Sequence, residues 1–371
     1  MSLYVELITC YESEFEFFFS KSLSSSCSFD VAKLRFMEAS EAAENALNCV
    51  LEAKSGDKLA IFCDDERMDV GQAFTNGALR LGLNTRFVPL KTDKVFREEV
   101  PSNLTKIITE QPPDIYINIL RGVREETVFR VQLIKMETEG HKARLGHCPG
   151  VTLDMLTEGA LALTVKDHVK MQKFADNLMK KLGKAQKVKI TNPSGTDVSL
   201  DVSGRPFFTD TIVDRKTNKW MNLPTGEVIV APVEDSMEGQ FVCDMAVGGI
   251  GPIKTPIKLI VKNGSVQSAT SKDSEVLKRV ENSLETDERS KVVGEFAFGI
   301  NPKARFVEEF LEAEKMLGTI HVAFGNNSDF PGGKNPSKNH LDFLVSKPTV
   351  KVFNGDGSKM DVLADGKFQT S

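Results

Sequence analysis

Apolar and polar positions follow one rhythm in the first half of this chain and another in the second. Lys58-Leu-Ala-Ile-Phe-Cys63 and Asp114-Ile-Tyr-Ile-Asn-Ile-Leu120 are short, nearly continuous apolar runs, and Thr85 to Leu90 reads as a further strand. Such runs predict strands buried on both faces, as in a parallel sheet. Between them lie stretches with helical spacing, Val31 to Ala53 and Val70 to Leu81, and Leu153 to Leu182 reads as largely helical. Ala143-Arg-Leu-Gly146 opens a fourth expected strand. Strands alternating with helices predict a doubly wound, mostly parallel α/β domain over residues 1–182.

Past the polar turn Gly183-Lys-Ala-Gln186 the rhythm shortens. Lys187 to Thr191 and Thr196 to Val202 flank Asn192-Pro-Ser-Gly195, and Ile257 to Val261 is joined to Val266 to Thr270 through Asn263-Gly264. These are hairpin signals. With Glu227 to Ala231, Phe241 to Val247 and Thr349 to Phe353 they predict an α+β domain over 183–371, dominated by antiparallel strands. Helices are expected at Ser274 to Leu284 and Phe306 to Leu317.

The chemistry gathers in Gly318 to Val345, which holds two of the five histidines. His321 sits in a short apolar strand, and a loop rich in Asn, Ser, Gly, Pro and Lys, Asn326 to Asn339, leads back to a second strand. There His340 and Asp342 share a face by the two-residue period. Two imidazoles and a carboxylate suit zinc, manganese, iron or cobalt. The competing reading is a buried histidine bonded to an aspartate, with His321 merely packed. Two glutamates stand apart from surface ones: Glu227 heads an apolar strand after Pro224-Thr-Gly226, and Glu295 lies inside Val292-Val-Gly-Glu-Phe-Ala-Phe. A charge in such a place needs a partner. Taken together, Glu227, Glu295, His321, His340 and Asp342 suffice for two ions sharing a carboxylate, or for one ion with outer partners.

Composition narrows the picture. Apolar content of 40%, charge of 27% and a net charge of -5 describe an ordinary globular chain with no block of Lys and Arg, so neither nucleic acid nor an anionic membrane is an expected partner. No apolar run is long enough to span a bilayer, and the acidic start of the chain is unlike a signal peptide, which points to a cytoplasmic protein. Six scattered cysteines without a C-x-x-C pair are expected to be reduced. No G-x-G-x-x-G follows the first strand, so the loops at Asp64-Asp65, Arg121 and His147-Cys-Pro-Gly150 carry no nucleotide signature. His147 and Cys148, as strand neighbours, face opposite ways and read as structural, and His168 reads as part of a solvated helix face. The cluster Phe15, Phe17, Phe18 and Phe19 reads as part of a hydrophobic edge.

Four motifs in order, Asn222-Leu-Pro-Thr-Gly-Glu227, Gly294-Glu295-Phe-Ala-Phe-Gly-Ile-Asn-Pro302, Gly318-Thr-Ile-His321-Val-Ala-Phe-Gly325 and His340-Leu-Asp342-Phe, give the chain a family likeness. It resembles the aminopeptidase T / aminopeptidase S metallopeptidases, often labelled leucyl aminopeptidases. The resemblance implies that Glu227, Glu295, His321, His340 and Asp342 hold a pair of Zn, Co or Mn ions in a homodimer that removes N-terminal residues from short peptides. Glu227 or Glu295 would then help move the proton. Peptidase members carry a tyrosine seven residues after the first ligand histidine, where this chain has Ser328, so Ser328 and the adjacent Asp329 are the expected substrate-facing positions. The likeness extends to 2,5-dihydroxypyridine dioxygenase, in which case His321, His340 and Asp342 would hold one Fe(II). A third possibility is a metal-binding scaffold without peptidase turnover.

Overall fold

The computed structural model describes residues 37–139, 143–213 and 220–369. Three sheets organise them. The first is parallel, ordered Asn84–Leu90, Lys58–Asp64, Ile115–Leu120, Arg144–Pro149 and Trp220–Asn222. Its central strand, Ile115–Leu120, is buried throughout, because helices cover both faces. The continuous apolar runs are therefore the signature of a two-sided environment. Trp220–Asn222 comes from far down the chain and closes one edge, which its three residues were too short to announce.

The other two sheets are antiparallel. One has eight strands, running from Ser265–Thr270 through Ala185–Thr191 to Lys367–Phe368; the other has seven, running from Gly251–Pro252 through Ile320–Gly325 to Phe208–Thr209. Both contribute to one apolar core, Val188, Ile190 and Leu259 from the first meeting Phe296, Phe298 and Phe343 from the second. The Asn263-Gly264 turn joins its two strands with positive φ at both residues, as a tight hairpin requires.

Two expected helices differ from what the chain does. Leu153 to Leu182 is two helices, Leu153–Thr157 and Val165–Leu182, the second started by a capping box between Thr164 and Asp167. His168 is not on a solvated face. It lies on the buried stripe with Met171, Ala175, Leu178 and Leu182, and burial lowers its pKa to about 4. Phe306 to Leu317 shortens to Phe310–Ala313. The backbone beyond is drawn away by bonds from Asn301 N to Lys315 O, Leu317 N to Asn301 O and Gly318 N to Gly299 O.

Cys49, Cys63, Cys148 and Cys243 are free thiols, whereas Cys10, Cys27 and the phenylalanines at 15–19 lie outside the described residues. No helix among the described residues is long and apolar enough to cross a membrane.

Candidate metal centre

Four adjacent strands of the seven-stranded sheet, His340–Val345, Ile320–Gly325, Val293–Gly299 and Glu227–Val230, present opposite characters on their two faces. Val228, Val230, Phe296, Phe298, Ile320, Val322, Phe324, Leu341, Phe343 and Val345 enter the core. By alternation Glu227, Glu295, His321, His340 and Asp342 take the other face. Small residues stand beside them: Ala297 is opposite His321, Gly299 opposite Glu227, and Ala323 between Glu295 and Asp342.

Glu295 reaches that face through an irregularity. Val293 points into the core, and simple alternation would send Glu295 after it. The register shifts between the two, so that Gly294 is the extra residue and Glu295 turns outward. Gly294 is also the only residue type that fits, since a Cβ there would stand 2.6 Å from the Gly325 carbonyl oxygen. Glu227 is aimed by another close approach. Gly226 has φ +138 and a Cβ would meet Asn301 at 2.5 Å; Asn301 in turn donates to the carbonyls of Ala160 and Thr225. Asp210 Oδ1 accepts from the amides of both Gly226 and Glu227, which fixes the turn from below.

The donor atoms fall into two groups, within each of which all lie within 4.8 Å of one another: Glu227, Glu314 and His321, and Glu295, His340 and Asp342. His321 Nε2 is 3.4 Å from Glu227 Oε1 and 3.2 Å from Glu295 Oε1, so the groups adjoin. His340 Nε2 is 3.0 Å from Glu295 Oε2 and 3.3 Å from Asp342 Oδ1. Its Nδ1 donates to the Asn326 carbonyl, which leaves Nε2 as the free donor atom. The first group is buried, whereas the His340 side chain keeps 32% of its surface open.

Glu314 was not anticipated from sequence, nor were the residues that stand behind it. Lys315 is buried, with Nζ 2.5 Å from Glu227 Oε2, 2.9 Å from Glu314 Oε1 and 3.6 Å from Asp210 Oδ2. Burial opposes its charge, yet the three carboxylates hold its pKa well above the ordinary lysine value. One ammonium cannot balance three carboxylates. Burial, only partly offset by Lys315, pushes Asp210, Glu227 and Glu314 above the usual carboxylate range.

In the second group burial also works to raise Glu295, but bonds from His321 and His340 pull it well below. The same carboxylates overcome burial at the imidazoles, carrying His321 to about 10 and His340 well above its usual value. Glu227 Oε1 and His321 Nδ1 remain without hydrogen-bond partners. Excess buried carboxylate, imidazoles made to act as cations and an orphaned oxygen fit a site for divalent ions with nitrogen and oxygen ligands.

Ser328 and Asp329 are exposed, and each bonds to Asn326, Ser328 Oγ donating to Asn326 Oδ1 at 2.7 Å. Phe330 of the same loop packs edge-on against His340 and beside Phe208, forming an aromatic wall at the open group. Arg121 is engaged by Glu126 at 2.6 Å. His147 is buried, its pKa lowered to about 3 by burial and by Arg130, and burial raises the Cys148 thiol, so neither is activated.

Comparison with solved structures finds the same fold twice over. 2,5-Dihydroxypyridine dioxygenase from Pseudomonas putida KT2440 is 16% identical, with a TM-score of 0.67 over 90% of this chain and 97% of that one. AmpT from Thermus thermophilus is also 16% identical with a TM-score of 0.67, over 90% of this chain and 99% of that one. No curated protein sequence matches significantly. Residues 163–368, more than half of the chain, match the model of the thermophilic metalloproteases (M29), and the chain belongs to that family.

Proposed function

We propose that this chain is a metal-dependent hydrolase of the aminopeptidase type, removing N-terminal residues from short peptides with two divalent ions, zinc, cobalt or manganese. The observation that carries this reading is the presence of two adjoining donor groups rather than one. Glu227, Glu314 and His321 would hold one ion, and Glu295, His340 and Asp342 the other. When bound, such a pair lowers the pKa of a water and polarises a peptide carbonyl.

The protein's own atoms do the rest. Glu295 faces His321 with Oε1 and His340 with Oε2, so it spans the two groups and fixes their separation. Glu227 Oε1, which has no hydrogen bond, is the oxygen that Lys315 leaves free for an ion, and Glu227 or Glu295 helps to move the proton during attack. The half-open side at His340 admits the substrate, and Phe330 and Phe208 face its side chain. We extend the proposal to a homodimer, in keeping with the resemblance.

Elemental analysis of protein purified without chelator, for wild type and Glu227→Gln, tests the reading. Two zinc, cobalt or manganese ions per chain, falling to one or none in the variant, with release of amino acids from a peptide panel, is the expected result. A second reading, a mononuclear Fe(II) ring-cleaving dioxygenase, is favoured by Ser328, which supplies no phenol. It requires a single iron that survives the substitution. Against it, His321 and His340 fall in different donor groups instead of forming one two-histidine, one-carboxylate face.

A further inference from the structure

We propose that Lys315 makes the two halves of the metal centre unequal: Glu295, His340 and Asp342 take the first ion tightly, and Glu227, Glu314 and His321 take the second more weakly. This rests on the two-ion reading above and specifies how that centre is loaded.

The two donor groups carry the same formal ligands, two carboxylates and one imidazole each. They differ in what stands behind them. Lys315 Nζ contacts both carboxylates of the buried group, Glu227 Oε2 at 2.5 Å and Glu314 Oε1 at 2.9 Å, so each has one oxygen already committed to a cation. Among the described residues no lysine or arginine forms an ion pair with Glu295 or Asp342. A divalent ion entering the buried group meets an ammonium bonded to the same carboxylates, at a depth where charges are weakly screened. An ion entering the other group meets carboxylates paired only with imidazoles, which can give up their protons to become ligands, and a partly open face. Lys315 therefore acts as a resident counter-ion: it keeps the buried carboxylates together while their site is empty, and it weakens that site's hold on a metal.

Asp210 tunes the lysine. Its Oδ2 lies 3.6 Å from Nζ, while its Oδ1 carries the bonds from the Gly226 and Glu227 amides. Asp210→Asn keeps an oxygen for those amides and removes the charge that draws Lys315 away from the metal ligands. Lys315→Met removes the ammonium altogether.

The test is titration of metal-free protein with Mn(II), following free ion by electron paramagnetic resonance and binding by calorimetry. Wild type is expected to bind two ions in separate steps, the second weaker by at least about tenfold, as one extra unit charge at contact range requires. Asp342→Asn should abolish the tight step and leave the weak one. Asp210→Asn should weaken the second step further and leave the first unchanged, and Lys315→Met should tighten the second step toward the first. Since Lys315→Met takes the ammonium from three buried carboxylates and can fail to fold, Asp210→Asn and the wild-type titration carry the test without it. Two ions bound with one affinity, a weak step removed by Asp342→Asn, or an Asp210→Asn effect confined to the first step would overturn the order while leaving the hydrolase reading intact. Failure to bind two ions would remove both, and stepwise binding without peptide hydrolysis would remove only the hydrolase.

Discussion

Two of the buried charge clusters among the described residues are finished differently. At the carboxyl ends of the parallel strands, Arg97 grips Asp64 through Nη1 and Nη2, at 2.6 and 2.8 Å, and Glu126 through Nε and Nη2; Arg121 adds its own bond to Glu126 and its amide to Asp64. Every carboxylate oxygen of Asp64 and Glu126 has a donor, and Glu126 is held down to about 2 by the two arginines against the cost of burial. On the outer face of the seven-stranded sheet, three carboxylates share one lysine and an oxygen is left over. A closed charge network fixes the geometry of a sheet edge, whereas an unbalanced one is an invitation to a cation.

The largest effect that separates the two clusters is on chemistry. Glu295→Gln should lower peptide hydrolysis by about 10²- to 10⁴-fold, the range for a group that handles protons or orders them, with metal content reduced and the metal-free protein also less stable, because His321 and His340 lose the carboxylate between them. Steady-state kinetics and elemental analysis read the outcome. Retained turnover with both ions in place would mean that Glu295 is not shared between the groups. Arg97→Ala should affect stability alone, costing about 3–5 kcal/mol in urea unfolding because Asp64 and Glu126 lose the guanidinium they share and keep only Arg121, with Mn(II) binding unaltered.

Acidity separates the clusters more gently. Without metal, His321 has its folded pKa raised from 6.5 to about 10, so its contribution to stability is complete below pH 6.5 and disappears as pH rises toward 10. Metal binding at pH 7 must displace that proton, and calorimetry in buffers of different ionisation heat should show proton release and tighter binding with rising pH. Binding that ignores pH between 6.5 and 9 would show that the imidazole is already neutral. The smallest effect concerns selectivity: Phe330→Ala should raise KM for peptides with a bulky first residue only several-fold, aromatic contacts being worth about 0.5–1.5 kcal/mol, and leave kcat alone.

What could be read from sequence follows from how each residue is displayed. Glu227, Glu295, His321, His340 and Asp342 stand at the heads or in the midst of apolar strands, where a polar residue is conspicuous against a period of two. Glu314 and Lys315 are hidden because Glu308, Glu309, Glu312 and Glu314 with Lys315 look like the wet side of a helix spanning Phe306 to Leu317. Only the bonds to Gly299 and Asn301, distant in sequence, unwind it and turn Glu314 and Lys315 inward. Asp210 has no local signal at all; its role depends on a turn sixteen residues later. His168 failed in the opposite sense, a polar residue among charges that nevertheless falls on the helix's apolar stripe.

The division of the seven-stranded sheet into a core face and a ligand face has a consequence for fidelity. A slip of one residue by His340–Val345 against Ile320–Gly325 would turn that strand over, driving His340 and Asp342 into the apolar interior and moving Leu341 and Phe343 onto the ligand face. Such a molecule would forfeit its core along with its site. The aromatic interior thus proofreads the hairpin, and a chain that has passed that inspection has its histidines in register before any ion arrives.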